Sequence, residues 1–280
     1  MDKISASLSL MRRLPPNKIE QSLSGLLNLI PQETDELLQR VDQPLEEAVD
    51  PESGRKYLLC DYNRDGDSYR SPWTNKYFPE LDDGFLPSEK LRAMECEANE
   101  LFDSYRELYF EGGTSSVYLW DLDSGFAGCF LIKKSIENNR FVSNGGWDSI
   151  HVVEVNEISP SKATYKLTTT VMLTMSVAKD VVGNTNMSGS LTRQSELTSA
   201  VNDDTDQSHL ANIGRLIEEL ESEMRSNLNE LYILKTREIV NSIRSASDGP
   251  IQTDTHTANL NAAVTDRASR KSIVTSTYNN

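Results

Sequence analysis

The chain has 280 residues, enough for one large domain or two small ones around a sizeable core. Apolar residues make up 37% and charged residues 25%, an ordinary globular balance, and no apolar run approaches the ~20 residues that a membrane-spanning helix needs. The formal net charge of −15 sets the chain as a whole against nucleic acid and anionic membranes.

The start, "MDKISASLSLMRRLPP", lacks the layout of a secretory signal, since Asp2 comes first and Arg12 and Arg13 follow the short apolar run. It predicts a cytosolic protein. Residues 1–48 read as a small helical bundle. "KISASLSLMRRL" halts at Pro15-Pro16, and "NKIEQSLSGLLNLI" sets Ile19, Leu23, Leu26, Leu27 and Ile30 on one face before Pro31. "ETDELLQRV" then runs to the turn at Pro44. Residues 49–87 alternate aromatics with proline, glycine and aspartate, which predicts short strands and tight turns.

Residues 88–207 open with a helix, "SEKLRAMECEANELFDSYRELYFEGG", with Ser88 as N-cap and Gly112-Gly113 as its stop. Its expected buried stripe is Leu91, Met94, Ala98, Leu101, Tyr105 and Leu108. Five period-two segments follow: "SSVYLWDL", "GFAGCFLIKK", "WDSIHVVEV", "ATYKLTTTVMLTMSV" and "MSGSLTRQ". "DSG" at 123–125 marks a hairpin, and the short links predict one antiparallel sheet of five strands.

Residues 208–247 carry the longest apolar stripe: Ile213, Leu216, Ile217, Leu220, Met224, Leu228, Leu231, Leu234, Ile239 and Ile243. A continuous helix from His209 to Ala246 would be ~55 Å long. Five strands at ~4.8 Å cannot cover it, so a second subunit or domain is expected to receive the overhang. Residues 248–280 form a polar arm in which Leu260, Ala263 and Val264 share one helical face. From Thr255 onward Arg267, Arg270 and Lys271 stand against Asp266, a net of +2 that leaves −17 on the rest. This reads as an arm for an acidic surface or as a solvated terminus.

The candidate chemistry is thin. "CDYNRDGDSYRSPWTNKYFP" places Asp61, Asn63 and Asp65 at positions 1, 3 and 5 of a calcium-type loop with Gly66 at position 6, but Pro72 stands where the bidentate Glu is required. An Asx-rich turn, with Gly66 supplying a positive φ, accounts for it. "FEGGTSS" lacks the Gly-Lys-Ser/Thr ending of a phosphate loop and follows a helix instead of opening one. Cys60, Cys96 and Cys129 form no CxxC pair, which indicates buried thiols and neither a zinc site nor a disulfide framework. His151 sits mid-strand, with Asp148 and Ser149 on opposite faces, so a triad would need distant help. No cofactor and no catalytic residue is indicated.

Several stretches closely resemble the β subunit of F-actin capping protein. They are "LSLMRRLPPNKIEQSLSGLLNLIP", "LLCDYNRDGDSYRSPWTNKYFP", "EANELFDSYRELYFEGGTSSVYLWDLDSGFAG", "GWDSIHVVEV", "GSLTRQ" and "ANIGRLIEELESEMRSNLNELY". The resemblance covers residues 5–246. It implies an α+β fold: a three-helix stalk, small hairpins, a five-strand antiparallel sheet crossed by a long helix, and a C-terminal arm. It implies a non-enzymatic, calcium-independent, cytoplasmic protein of the actin cytoskeleton that caps filament barbed ends sterically.

The resemblance further implies a heterodimer with an α subunit of similar fold, joined edge to edge into one ten-strand sheet. The stripe residues Ile213, Leu216, Ile217, Leu220, Met224, Leu228 and Leu231 would then serve the subunit interface. In the arm, Leu260, Ala263 and Val264 would dock into a cleft of terminal actin, with Arg267, Arg270 and Lys271 beside them. Regulators of the resembled family include phosphoinositides, myotrophin and leucine-rich capping-protein linkers. The arm departs from the family pattern in being rich in Ser, Thr and Asn. Two other readings stay open: a structural subunit of another heterodimeric cytoskeletal scaffold, and a hydrolase gathering carboxylates around His151.

Overall fold

A computed structural model describes residues 3–14, 16–137, 144–179, 183–201, 205–234, 237–238 and 240–242. The C-terminal arm, with Leu260, Ala263, Val264, Arg267, Arg270 and Lys271, lies outside them, as do Ile239 and Ile243. Contacts divide the chain into a unit of residues 1–224 and a second of residues 225–280.

Three N-terminal helices, α1 (Lys3–Met11), α2 (Ile19–Leu29) and α3 (Thr34–Arg40), form as the proline punctuation predicts. Their facing stripes close over Ile4, Met11, Leu23, Leu26, Leu37 and Val41, while Ile19, Leu27 and Ile30 pack at the margin. A hairpin of β1 (Glu46–Val49) and β2 (Lys56–Leu59) follows, then the small sheet β3 (Arg64–Asp65), β4 (Ser68–Arg70) and β5 (Tyr77–Phe78). Helix α4 spans Glu89–Tyr109. Ser88 caps it, accepting the Leu91 amide, and Gly112 follows its end with φ of 71°.

The main sheet comprises β6 (Thr114–Leu122), β7 (Gly125–Glu137), β8 (Asn144–Ser159), β9 (Lys162–Lys179) and β10 (Gly183–Ala200). It is fully antiparallel in the order β10-β9-β8-β7-β6. The β6–β7 connection is the expected hairpin, with Leu122 opposite Gly125. Gly125 adopts φ of 150°, and a Cβ there would lie 2.2 Å from the Val155 carbonyl oxygen, so only glycine fits.

Each face of the sheet is covered. On one, Tyr118, Cys129, Leu131, Ile150 and Met172 pack with Leu45 and Leu58. On the other, Phe130, His151 and Thr169 lie in one cross-strand row beneath α4 and α5 (Thr205–Leu228). The α4 stripe differs from its expected form. Leu91, Met94, Ala98 and Phe102 are buried, but Leu101 is 56% exposed and Leu108 81%. The face that meets the sheet advances by four residues to Phe102, so the three-residue steps to Leu101 and Leu108 fall off it. Two polar residues, Glu95 and Asn99, occupy buried positions instead.

The last long helix also differs. It begins at Thr205, four residues before the expected His209, and at 1.5 Å per residue its 24 residues span ~36 Å. A π-helical turn, Asn229–Leu234, replaces regular α-helix after Leu228 and contains Leu231. Ile213, Leu216, Ile217, Leu220 and Met224 are each at most 7% exposed, and Leu228 is buried too. Within residues 1–224 the first five of these belong to this chain's own core, because the sheet and α4 already cover them.

Candidate functional site

The segment with the calcium-like spacing is built as a brace. Asp61–Asn63 form a single 3-10 turn, and Gly66, at φ of 59°, supplies the β3–β4 hairpin. Asn63 points inward: its Oδ1 accepts the Cys60 amide at 2.9 Å, and its Nδ2 donates to the carbonyls of Arg70 (2.9 Å) and Leu58 (3.4 Å). A side chain spent on three backbone groups offers no oxygen to an ion shared with Asp61. No group of three or more His, Cys, Asp or Glu side chains suited to a metal occurs among the described residues.

Arg70, at the end of β4, is the deepest charge of this segment. Its two terminal nitrogens each donate to one oxygen of Glu95 at 2.8 Å, and both side chains are almost fully buried. Glu95 also pairs with Arg92 and accepts the Leu119 amide of β6 at 2.7 Å. One turn along α4, Asn99 accepts the Val117 amide and donates to the Val117 carbonyl, both at 2.9 Å. Burial opposes the Arg70 charge, but the Glu95 carboxylate more than offsets it and raises the Arg70 pKa.

A second anchor joins the β1–β2 turn to this segment. Asp50 accepts from the Ser71 and Thr74 hydroxyls at 2.5 and 2.8 Å, and from the amides of Glu52 and Ser53 at 2.8 and 3.0 Å. Burial raises its pKa, yet these four bonds prevail and lower it from 3.8 to about 2.

The third cluster lies under α5. Glu221, fully buried, accepts from Ser149 at 2.6 Å through one oxygen and from Tyr105 through the other. Trp147 donates to Ser149 at 2.7 Å, and His151 bonds Thr169 at 2.9 Å. This gathers a serine, a histidine and a carboxylate from distant segments, as a hydrolase would require. The arrangement does not serve that chemistry. Ser149 donates its proton to Glu221, and all three side chains are 0% exposed, so no substrate reaches them. It fastens α5 to β8 and α4. Farther along α5, Asn212 and His209 both bond the Tyr165 hydroxyl, at 3.1 and 2.8 Å.

Among the described residues no strand pairs with the outer side of β10, where the N-terminal segment holds only Ser190. β10 pairs with β9 through an unbroken register from Gly183 to Ala200, and it is the last strand on that side. The Ser190 amide turns outward to the Arg12 carbonyl at 3.3 Å. By strand alternation the amides of Thr192, Gln194 and Glu196 also face away from β9.

The model of the family described as F-actin capping protein, beta subunit, matches residues 4–240. The chain belongs to that family. The F-actin-capping protein subunit beta of Drosophila melanogaster is 54% identical over 244 residues, 87% of each chain. The Dictyostelium discoideum protein of the same name is 52% identical over 88% of this chain and 90% of its own. That of Aspergillus oryzae is 44% identical over 99% and 98%. Among solved structures, the chain resembles a homodimeric actin capping protein alpha subunit from Plasmodium berghei, with a TM-score of 0.53 at 17% identity over 87% of this chain and 96% of that one. An α subunit therefore shares this architecture. The family is one of actin-associated structural proteins, and no described helix is long and apolar enough to cross a membrane.

The sequence reading placed the turn segment correctly and missed its partners. Arg70, Glu95, Asn99 and Glu221 carry no motif. Their only sequence signal is a polar residue at a position where helical or strand periodicity points inward.

Two measurements test this frame. Glu95→Ala leaves Arg70 as an uncompensated buried charge and is expected to lower unfolding free energy by about 3–5 kcal/mol in urea titration. Adding Arg70→Met to that variant recovers part of the loss. Asp50→Asn is expected to cost about 1–2 kcal/mol at neutral pH. Because folding depresses the Asp50 pKa, the unfolded chain takes up the proton first, and the stabilisation is lost as pH falls from about 4 to about 2. The gap between wild type and Asp50→Asn therefore narrows across that interval, read by thermal melts at stepped pH.

Proposed function

We propose that this chain is the β half of a heterodimer with an α subunit, and that the pair binds the barbed end of an actin filament and sterically blocks gain and loss of subunits. Membership of the β-subunit family carries this reading. The open β10 edge supports it, because two sheets of one architecture can continue into each other strand to strand. The inward Asn63 supports independence from calcium.

The subunit contact is assigned to the β10 edge, with α5 contributing beyond the part its own sheet covers. Ile213, Leu216, Ile217, Leu220 and Met224 would act on the interface by fixing the position of α5. Leu228 and Leu231, at the change from α- to π-helix, are assigned to the subunit contact itself. The arm positions Leu260, Ala263 and Val264 are assigned to an apolar cleft on actin, flanked by Arg267, Arg270 and Lys271 facing acidic actin. Two arms on one rigid body raise the effective concentration of the second once the first has bound.

Barbed-end elongation from filament seeds tests the proposal, using the heterodimer co-expressed with an α subunit. The full-length chain is expected to stop elongation, and a chain ending at Asp248 to do so only at much higher concentration. Equal inhibition by both transfers the actin contact to the body or the α arm. If neither slows elongation, the scaffold reading replaces capping.

The edge assignment has its own test. Gln194→Pro removes an outward amide while sparing the β9 ladder. It is expected to keep the chain's own sheet by circular dichroism yet abolish co-purification with the α subunit. Undiminished co-purification moves the contact off β10.

A further inference from the structure

Two of the three cysteines meet beneath the small hairpin. Cys129 on β7 stands opposite Tyr118 on β6 and Val152 on β8, so all three leave the sheet on one face. On that face the Tyr118 hydroxyl reaches the Leu58 carbonyl at 2.7 Å, near the end of β2. Cys60 lies two residues beyond Leu58 and packs against the same cluster. That cluster contains Cys129, and Cys60 adds to the rise of the Cys129 thiol pKa that burial causes. Cys129 is fully buried, whereas Cys60 is partly exposed. The Asn63 amide donates to the Cys60 side chain and fixes its direction.

We propose that Cys60 and Cys129 are a reversible redox pair, in which a hydroperoxide oxidises the accessible Cys60 and Cys129 then closes a disulfide across the hairpin–sheet junction. In the first step the Cys60 sulfur, having released its proton, attacks one peroxide oxygen. The O–O bond breaks, leaving Cys60 as a sulfenic acid, and the departing oxygen takes up a proton as water or alcohol. In the second step Cys129 gives up its proton and attacks the oxidised sulfur. The S–O bond breaks, the hydroxide takes that proton and leaves as water, and the S–S bond forms. The two thiols together lose two electrons and two protons, which the peroxide accepts. A dithiol reductant reverses the bond by exchange.

The two sites differ in the way these roles require. Burial raises the Cys129 thiol well above its usual range, with Cys60 adding to the effect, so an oxidant meets Cys60 first and Cys129 loses its proton only in the step that attacks the oxidised Cys60. Cys60 is half-buried at the margin of the cluster that contains Cys129. The bond would tie the end of β2, and through Asn63 and Arg70 the whole turn segment, to the middle of the main sheet. Cys96, on α4, is exposed and takes no part.

The test uses the full chain carrying Cys96→Ser, which removes the exposed competitor. The reduced protein is treated with hydrogen peroxide, alkylated and digested for mass spectrometry. The expected product is a Cys60–Cys129 cross-linked peptide pair, lighter by two hydrogens than the separate thiols and restored by dithiothreitol. Amide exchange in β2 is expected to slow on oxidation and recover on reduction. Cys129→Ser is expected to end both effects, and Cys60→Ser, at the less buried position, serves equally if that variant fails to fold. Recovery of both thiols in alkylated form, or of Cys60 as a sulfinic acid beside an alkylated Cys129, overturns the proposal.

Discussion

The bidentate bond between Arg70 and Glu95 organises the first two hundred residues. It buries a full positive and a full negative charge, which is tolerable because Glu95 accepts from both terminal nitrogens of Arg70 and from the Leu119 amide. These bonds draw three separate pieces of chain to one point: the end of β4, the second turn of α4, and the backbone of β6. Asn99 repeats the attachment one turn on. Helix α4 is thereby fixed to the sheet edge by polar bonds as well as by Leu91, Met94 and Phe102. The turn segment cannot move without exposing an unpaired charge.

The same logic recurs under α5, where Glu221 holds Ser149 and Tyr105. Both helices on that face of the sheet are secured by a buried carboxylate. A purely apolar contact would permit rotation or sliding of one helix; a carboxylate with fixed donors allows one setting.

Much of this architecture was legible in the residues. Proline punctuation set the three N-terminal helices, period-two alternation set the five strands, and "DSG" set the β6–β7 hairpin. The α4 stripe was only half legible, since Leu101 and Leu108 satisfy a three-residue step that the helix does not keep. The stripe of α5 is legible in the sequence from Ile213 to Leu228, whereas the π turn at Asn229–Leu234, after which helical residues return at 237–238 and 240–242, carries no sequence signal. Buried ion pairs were illegible for a plain reason. A glutamate beside an apolar stripe on a helix normally turns to water, and only the three-dimensional arrival of Arg70 makes Glu95 an interior residue.

The composition of β10 bears on the life of the chain before any partner arrives. Its eighteen residues include only Met187, Leu191 and Leu197 as large apolar side chains, among serines, threonines, asparagines and charges. Fibril nuclei require short windows that are both strand-forming and able to exclude water between stacked sheets. This strand offers the hydrogen-bonding template without the dry interface. A stray copy pairing along this strand would gain backbone bonds but little burial, which makes β10 a poor template for fibrils.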